Sequence, residues 1–343
     1  MDYRHQVILG VALFLTALRG LTLAEVPFFY QDEHALTAPP GRVVTLASVP
    51  NRSLTMWSLD QTRDPAVAHL VNLGLHLTVG VLVAAVVTPM AGSLVGLVAA
   101  VVMLLHPLNH QAVAYVTGRA ELLTMVGILL AVSGLIRGGW GWLLCPVGIL
   151  LAMTSKEMGA VVLPVLFVIM AWQRRAFPAP VLFLGGCLTG IGAMRALPVL
   201  LSWATMTPGA GGSELPWSEF VVRANGVIWQ IQASLVTLSG FAIEHDAVTL
   251  PLWWLALSAA MTAAVGAGAV LAWRRQPIVA VALTWWLVAL LPRLLIPTSE
   301  FSTERHLYVA QLGPAILLGL AAARRLRSRA RVPVFIHPAG SPA

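Results

Sequence analysis

Two adjacent carboxylates, Asp32 and Glu33, stand in the run Tyr30-Gln31-Asp32-Glu33-His34, just past the first long apolar stretch of the chain. An acid in that place sits at lipid-headgroup level and can take a proton from a hydroxyl brought within hydrogen-bond reach. His106-Pro107-Leu108-Asn109-His110-Gln111 sets two histidines four residues apart, so a helix begun there carries both on one face. That spacing suits a divalent cation, but the adjacent acid of a hydrolytic zinc motif is missing. No metal is assigned, and a divalent ion is the only cofactor left open. Gly118-Arg119-Ala120-Glu121 opens an apolar run, and charges at such an edge are paired or functional. Ser155-Lys156-Glu157 reads either as a nucleophile beside its base or as a capping serine with snorkelling charges. Glu244-His245-Asp246 offers two acids flanking a histidine, a pattern that can hold a cation. Thr303-Glu304-Arg305-His306-Leu307-Tyr308 packs an acid, a guanidinium, an imidazole and a phenol against apolar sequence. A guanidinium is the natural fork for a phosphate or carboxylate.

These groups must be positioned by elements that water does not favour. The chain has 343 residues, 58% hydrophobic and 10% charged, with mean hydropathy +0.82. Soluble domains carry about a quarter charged residues. The apolar residues arrive in runs of roughly 15–22, the length scale of a bilayer-crossing helix. The sequence predicts an all-α, polytopic transmembrane bundle of about ten spans (nine to eleven). They fall near 7–27, 67–88, 91–105, 122–136, 140–153, 158–172, 179–201, 251–272, 278–297 and 307–323. The first run follows a short basic start but lacks a small-residue cleavage site, so it reads as a retained span. Residues 1–323 form the membrane domain, with long outer loops at about 28–66 and 202–250. Residues 324–343 read as a basic, disordered cytoplasmic tail.

The net charge of +7 and pI near 10.4 do not point to nucleic acid. The arginines lie in short inter-span connections and the tail, as the positive-inside rule requires. With both termini cytoplasmic, Arg4, Arg137, Arg174, Arg175, Arg274, Arg275 and the tail arginines share the inner face with one acid, Asp2. The other thirteen of fourteen acids fall at or near the outer face. Acids contribute little to orientation, so that gathering needs a second cause, and a polar site is the economical one. Residues 219–243 are long enough to cross, yet Glu219, Arg223, Asn225, Gln230 and Gln232 make lipid exposure costly. They read as a re-entrant or amphipathic element lining a cavity. Cys145 and Cys187 lie inside apolar runs and behave as small hydrophobes. There is no Walker lysine loop and no dinucleotide fingerprint, so a transferase of this design takes a lipid-linked donor from the bilayer.

In order along the chain stand the acidic pair, Asn51-Arg52-Ser53-Leu54-Thr55 leading to Leu59-Asp60, His69-Leu70-Val71-Asn72 with His76, and His106-Pro107. Gly118-Arg119-Ala120-Glu121, Ser155-Lys156-Glu157, Leu290-Leu291-Pro292 and Glu304-Arg305-His306-Leu307-Tyr308 follow. Together they resemble the GT-C membrane glycosyltransferases. The nearest branch is that of the transmembrane and tetratricopeptide-repeat O-mannosyltransferase-like and protein O-mannosyltransferase proteins, here without the repeat half. The likeness covers roughly residues 20–315. It implies transfer of a sugar, with inversion, from a polyprenyl-phosphate carrier to an acceptor hydroxyl of a protein, lipid or glycan. It implies Asp32 as general base with Glu33 beside it. A departing lipid phosphate needs cationic stabilisation, and Arg119 and Arg305 are assigned to it, with Lys156, His106 and Arg52 as further candidates. His110, Glu121, Glu304, His306, Tyr308, Glu244 and Asp246 support the site. The chain departs from its relatives in reading Gln111 where they carry glutamate, and Arg52-Ser53-Leu54 where they carry Arg-Pro-Leu. Two other readings stand beside the enzyme: a catalytically silent subunit of a membrane complex, and a transporter or flippase of a lipid-linked or anionic substrate. High Ala, Gly, Val and Arg usage with little Lys leans towards a bacterial inner membrane, the site facing the periplasm.

Overall fold

The computed structural model describes residues 1–25, 52–173, 215–237, 250–295 and 304–330. Among these residues every regular element is helical, with no strand. The α-helices are α1 (Tyr3–Leu21), α2 (Ser53–Asp60), α3 (Pro65–Ala91), α4 (Ser93–Leu105), α5 (His110–Ala114), α6 (Arg119–Arg137), α7 (Leu144–Ser155), α8 (Val162–Gln173), α9 (Trp217–Thr237), α10 (Leu252–Arg275), α11 (Pro277–Leu295) and α12 (Leu312–Ala330). Short 3-10 turns link several of them, including Pro107–Asn109, Glu157–Val161 and Glu304–Leu307.

Among the described residues, four stretches are long and apolar enough to cross a membrane: Pro65–Ala91, Val116–Arg137, Leu252–Arg275 and Pro277–Leu294. The bent pair Ser93–Leu105 and Pro107–Ala114, at 57°, makes up to five if it counts as one span. The break falls at His106-Pro107, where the residue before a proline is held extended (His106 ψ 130°). A helix stands in each of the nine expected spans that the described residues reach; the tenth, 179–201, lies outside them.

Local chemistry sets the helix ends. Asp2 accepts from His5 N–H to cap α1, and Asp64 accepts from Val67 N–H with Pro65 in the first turn of α3. Gly92, at φ +98°, makes the one-residue turn between α3 and α4, a conformation a side chain would strain. α6 and α7 form the tightest hairpin of the bundle. A Cβ on Gly148 would run into the backbone of Gly127 and Ala131, and one on Gly127 into that of Ala152 and Gly148. Small residues allow such approach, which is how helices associate where lipid supplies no hydrophobic force. The Cys145 thiol donates to the Ala131 carbonyl across the same seam, at 3.3 Å. On α1 and α10 the apolar side chains of Val11, Phe14, Leu18, Leu252, Val270 and Leu271 are exposed, as lipid-facing surfaces are.

Two elements differ from expectation. α9 is one continuous helix packed against α10, and its Asn225 and Trp229 side chains face that neighbour. Asn225 Nδ2 donates to Ser258 Oγ (3.2 Å), Thr262 Oγ1 donates to Asn225 Oδ1 (2.7 Å) and Trp229 Nε1 donates to Thr262 Oγ1 (2.8 Å). These pairings advance in the same direction along both helices. Thr262 lies ten residues into α10, roughly 15 Å at the rise of an α-helix. Of the polar residues that argued for a cavity lining, Asn225 is spent on interhelical hydrogen bonds, Arg223 pairs with Glu219 of the same helix, and Gln230 is exposed. Second, helix α12 continues through Ala330. Arg324, Arg325 and Arg327 thus belong to a helix rather than to a tail; basic residues suit its C-terminal turns, where the carbonyl dipoles point.

Gly148→Val should lower the detergent melting temperature, with a cost of about 1–3 kcal/mol or more from overpacking against backbone that cannot swing aside. Gly74→Ala, whose new methyl meets nothing within 4 Å, should leave that melting temperature unchanged.

Candidate functional site

One end of the bundle collects the start of α2, the N-termini of α3 and α6, the C-termini of α7 and α11, and the turn Glu304–Leu307. Arg119 is the deepest charge there, fully buried. Its Nε donates to Asn72 Oδ1 (2.9 Å), Nη1 to the Ser58 carbonyl (2.9 Å) and Thr62 Oγ1 (2.5 Å), and Nη2 to the Ala68 carbonyl (3.0 Å). Asn72 in turn donates to the Tyr115 carbonyl at 2.8 Å. Each nitrogen of this guanidinium is committed to α2, α3 or the connection between them. Arg119 therefore acts as a clamp on these elements.

Lys156 and Glu121 form an ion pair with side-chain exposures of only 7% and 1%. Lys156 is thus bound into the α6–α7 hairpin, with its ammonium held at the head of both helices. The Thr55 hydroxyl donates to the Ser155 carbonyl at 2.7 Å, tying α2 to the same point. Ser155 Oγ donates back to the Leu151 carbonyl. That bond completes a helix end and gives no sign of a nucleophile activated by Lys156.

The turn Glu304–Leu307 is fixed by three separate contacts. Arg305 N–H donates to Gln111 Oε1 at 2.8 Å, and the Arg305 guanidinium lies 5.1 Å from the centre of the Tyr115 ring, a cation–π distance. Just beyond, Tyr308 Oη pairs with His76 Nδ1 at 2.7 Å while His76 Nε2 meets the Leu104 carbonyl at 3.2 Å. The carbonyl can only accept, so Nε2 carries the hydrogen and Tyr308 donates to Nδ1. Gln111 thus supplies the acceptor that seats the turn.

Around His306 the chain brings together cations from four segments. Burial first, then the charges of Lys156, Arg293, Arg305 and Arg52, hold its imidazole well below the ordinary histidine range. His306 is consequently neutral at pH 7. Arg52, Lys156 and Arg305, each expected in one site with His306, lie near enough for their charges to act on its imidazole. Arg293 was missed, because it ends an apolar run and was counted with the span. Its position directly after Pro292 at the end of α11 was the available signal. Arg52 occupies the N-cap of α2 without offering its side chain as a cap.

His106 and His110 face a separate crevice with Arg19, Thr16, Leu23 and His76 at the ends of α1, α3 and α4. His106 Nδ1 accepts from Leu108 N–H at 3.2 Å and caps the 3-10 turn. Glu304 is buried, and its charge reaches His110, so the two regions adjoin. Among the described residues no group of three or more His, Cys, Asp or Glu side chains is arranged to hold a metal ion. Asp32, Glu33, Glu244 and Asp246 lie outside the described residues.

No family model, curated protein or solved structure matches this chain. What the site does has to be argued from its own groups.

Glu121→Ala strands a buried ammonium and should cost about 3–5 kcal/mol, read as a lowered melting temperature in detergent, whereas Glu121→Leu with Lys156→Met should recover most of it. A second measurement concerns acid. The folded state binds the His306 proton more weakly than the unfolded chain does, so stability falls as pH drops below the ordinary histidine value of about 6.5. His306→Gln should flatten that part of the melting-temperature profile and leave the part above pH 7 unchanged.

Proposed function

We propose that this chain is an integral membrane glycosyltransferase of about ten spans and GT-C-like architecture. It moves a sugar from a polyprenyl-phosphate carrier to an acceptor hydroxyl on a protein, lipid or glycan. In this reading the polar end faces the exterior of a bacterial inner membrane, with both termini cytoplasmic. The observation that carries the proposal is the convergence of Arg52, Lys156, Arg293 and Arg305 upon His306, from segments distant in sequence, at the mouth of an apolar helix bundle. A charged group at the edge of a bilayer is costly to keep without use. Several such groups held by packed elements form a ready anion site, and for a membrane-embedded protein a lipid phosphate is the fitting anion.

The chemistry assigned to these groups balances simply. The acceptor hydroxyl loses its proton to Asp32 as its oxygen bonds the anomeric carbon. The carbon–oxygen bond to the carrier breaks, and its electron pair leaves with the phosphate, which gains negative charge beside the cations. Preorganised charge aimed at that developing anion is worth far more than the same charge in water. Arg119 has no part in this step; its work is to hold α2, and with it Arg52, in place.

Asp32→Asn should reduce sugar transfer from a polyprenyl-phosphate donor by about 10²–10⁴-fold, the usual contribution of a general base, with detergent melting unchanged. Transfer assays on purified protein in lipid nanodiscs check this. Undiminished transfer would remove the base assignment. Absence of transfer by the unaltered protein, together with stoichiometric co-purification of another membrane protein, would favour the silent-subunit reading. Donor-independent lipid flux in proteoliposomes would favour the transporter.

A further inference from the structure

Where α10 ends and turns into α11, the surface is concave. A cavity of about 720 Å³ lies there between the two helices, within the size range of small-ligand sites. Buried Ala269 and half-buried Thr284 are its short inner side chains, and Val270 and Leu271, each 76% exposed, form an apolar wall. Trp273, Arg274 and Arg275 complete the rim. Among the described residues no hydrogen bond or ion pair engages either arginine side chain. We propose that this cavity holds the headgroup of an anionic phospholipid, its phosphate met by Arg274 and Arg275 and its acyl chains lying along the exposed face of α10. The site is at the other end of α11 from Arg293 and stands whether or not the chain transfers a sugar.

Residue size builds the pocket. A Cβ on Gly268 would come within 3.3 Å of Leu283 Cδ1, so there α11 closes on α10. At Ala269 and Thr284 both side chains are short, and room is left between the helices. Gln276 alone links them; its N–H donates to the Ala272 carbonyl at 2.7 Å and its Oε1 accepts from Arg324 of α12. The backbone carrying the two arginines is thereby pinned at the turn. The apolar wall continues along the helix: exposed Leu252 and Trp253 stand 18 residues before Val270 and Leu271, five whole turns, and so share their face. The cavity therefore opens towards lipid rather than water. A tryptophan beside paired arginines belongs at headgroup level, and two unengaged guanidiniums match the oxygens of a phosphate. The carbonyl dipoles at a helix C-terminus repel an anion, so the attraction has to come from these side chains. In the orientation proposed above the site lies in the cytoplasmic leaflet, where basic pockets between helices take anionic headgroups. The positive-inside rule accounts for the arginines but not for a cavity beside them.

The full chain, purified in detergent carrying equal amounts of phosphatidylglycerol and phosphatidylcholine with the same acyl chains, can be read by native mass spectrometry. A basic side chain near a membrane surface favours an anionic lipid about fivefold. Phosphatidylglycerol should accordingly be retained over phosphatidylcholine by roughly thirtyfold for the two arginines. Arg274→Gln with Arg275→Gln should abolish that preference. Thr284→Phe fills the cavity and leaves every charge in place, and it should lose the retained lipid. Arg325→Gln with Arg327→Gln, on α12 and outside the cavity, should keep both lipid and preference. The inference is overturned if the unaltered chain retains no lipid or both lipids alike, or if the α12 substitutions remove the preference as fully as those at the cavity. It is overturned equally if Thr284→Phe keeps its phosphatidylglycerol, which would mark a diffuse attraction to basic segments. A dimeric, lipid-free chain would give the groove to a second copy, and displacement of the lipid by soluble glycerol phosphate would make it a site for free phosphate; either result removes the proposal. Melting temperatures show whether the variants are folded; should Thr284→Phe not be, Ala269→Leu faces the same criterion.

Discussion

A buried guanidinium cannot be left to find its own partners, and the geometry of the polar end follows from how Arg119 is answered. Its four hydrogen bonds reach Ser58, Thr62, Ala68 and Asn72, so the short helix α2, the link after it and the head of α3 are all referred to the first residue of α6. An eight-residue helix is marginal by itself. Here it is held from one side by Arg119 and from the other by Thr55 on the Ser155 carbonyl. Arg52 owes its place to those two attachments, and Lys156 and Glu121 meet because the same hairpin supplies both. The mobile-looking part of the sequence, a polar loop between spans, is thereby built on the stiffest part of the bundle.

The sequence made the helices legible because apolar runs of fixed length leave few alternatives, and each described run became a helix. Charge roles were less legible. Arg119 and Arg293 are the same residue type at the edge of an apolar run. For Arg119 a matching set of acceptors comes to the guanidinium from elsewhere in the chain. Two of those four acceptors are backbone carbonyls, which every residue possesses and no side-chain pattern announces. Asn72 and Thr62 supply the other two, and in the sequence Asn72 stands out only through the family resemblance. Asp32 and Glu33, on which the catalytic reading turns, fall outside the described residues.

The polar face of α9 shows the opposite case, where the information was present and unused. Asn225 and Trp229 are four apart, and so are Ser258 and Thr262. Two helices with hydrogen-bonding groups at the same interval can be laid against one another in register. Reading α9 alone suggested a lining for water; reading it beside α10 suggests a lock. Polar residues inside apolar helices are better interpreted in pairs of segments than one segment at a time.

At the α6–α7 seam, backbone meets backbone with no side chain between, and packed surfaces of that kind slide or hinge only by breaking contact along their whole length. In the transfer proposed above, a substrate carrying a long isoprenoid tail would nonetheless have to get in and out. The freedom for that passage has to reside in the light pieces fastened to this rigid rod, α2 and the turn Glu304–Leu307, each secured by a few hydrogen bonds. Turnover would then be governed by how often those fastenings let go, and the rod itself would serve as the fixed reference against which the reacting groups are aligned.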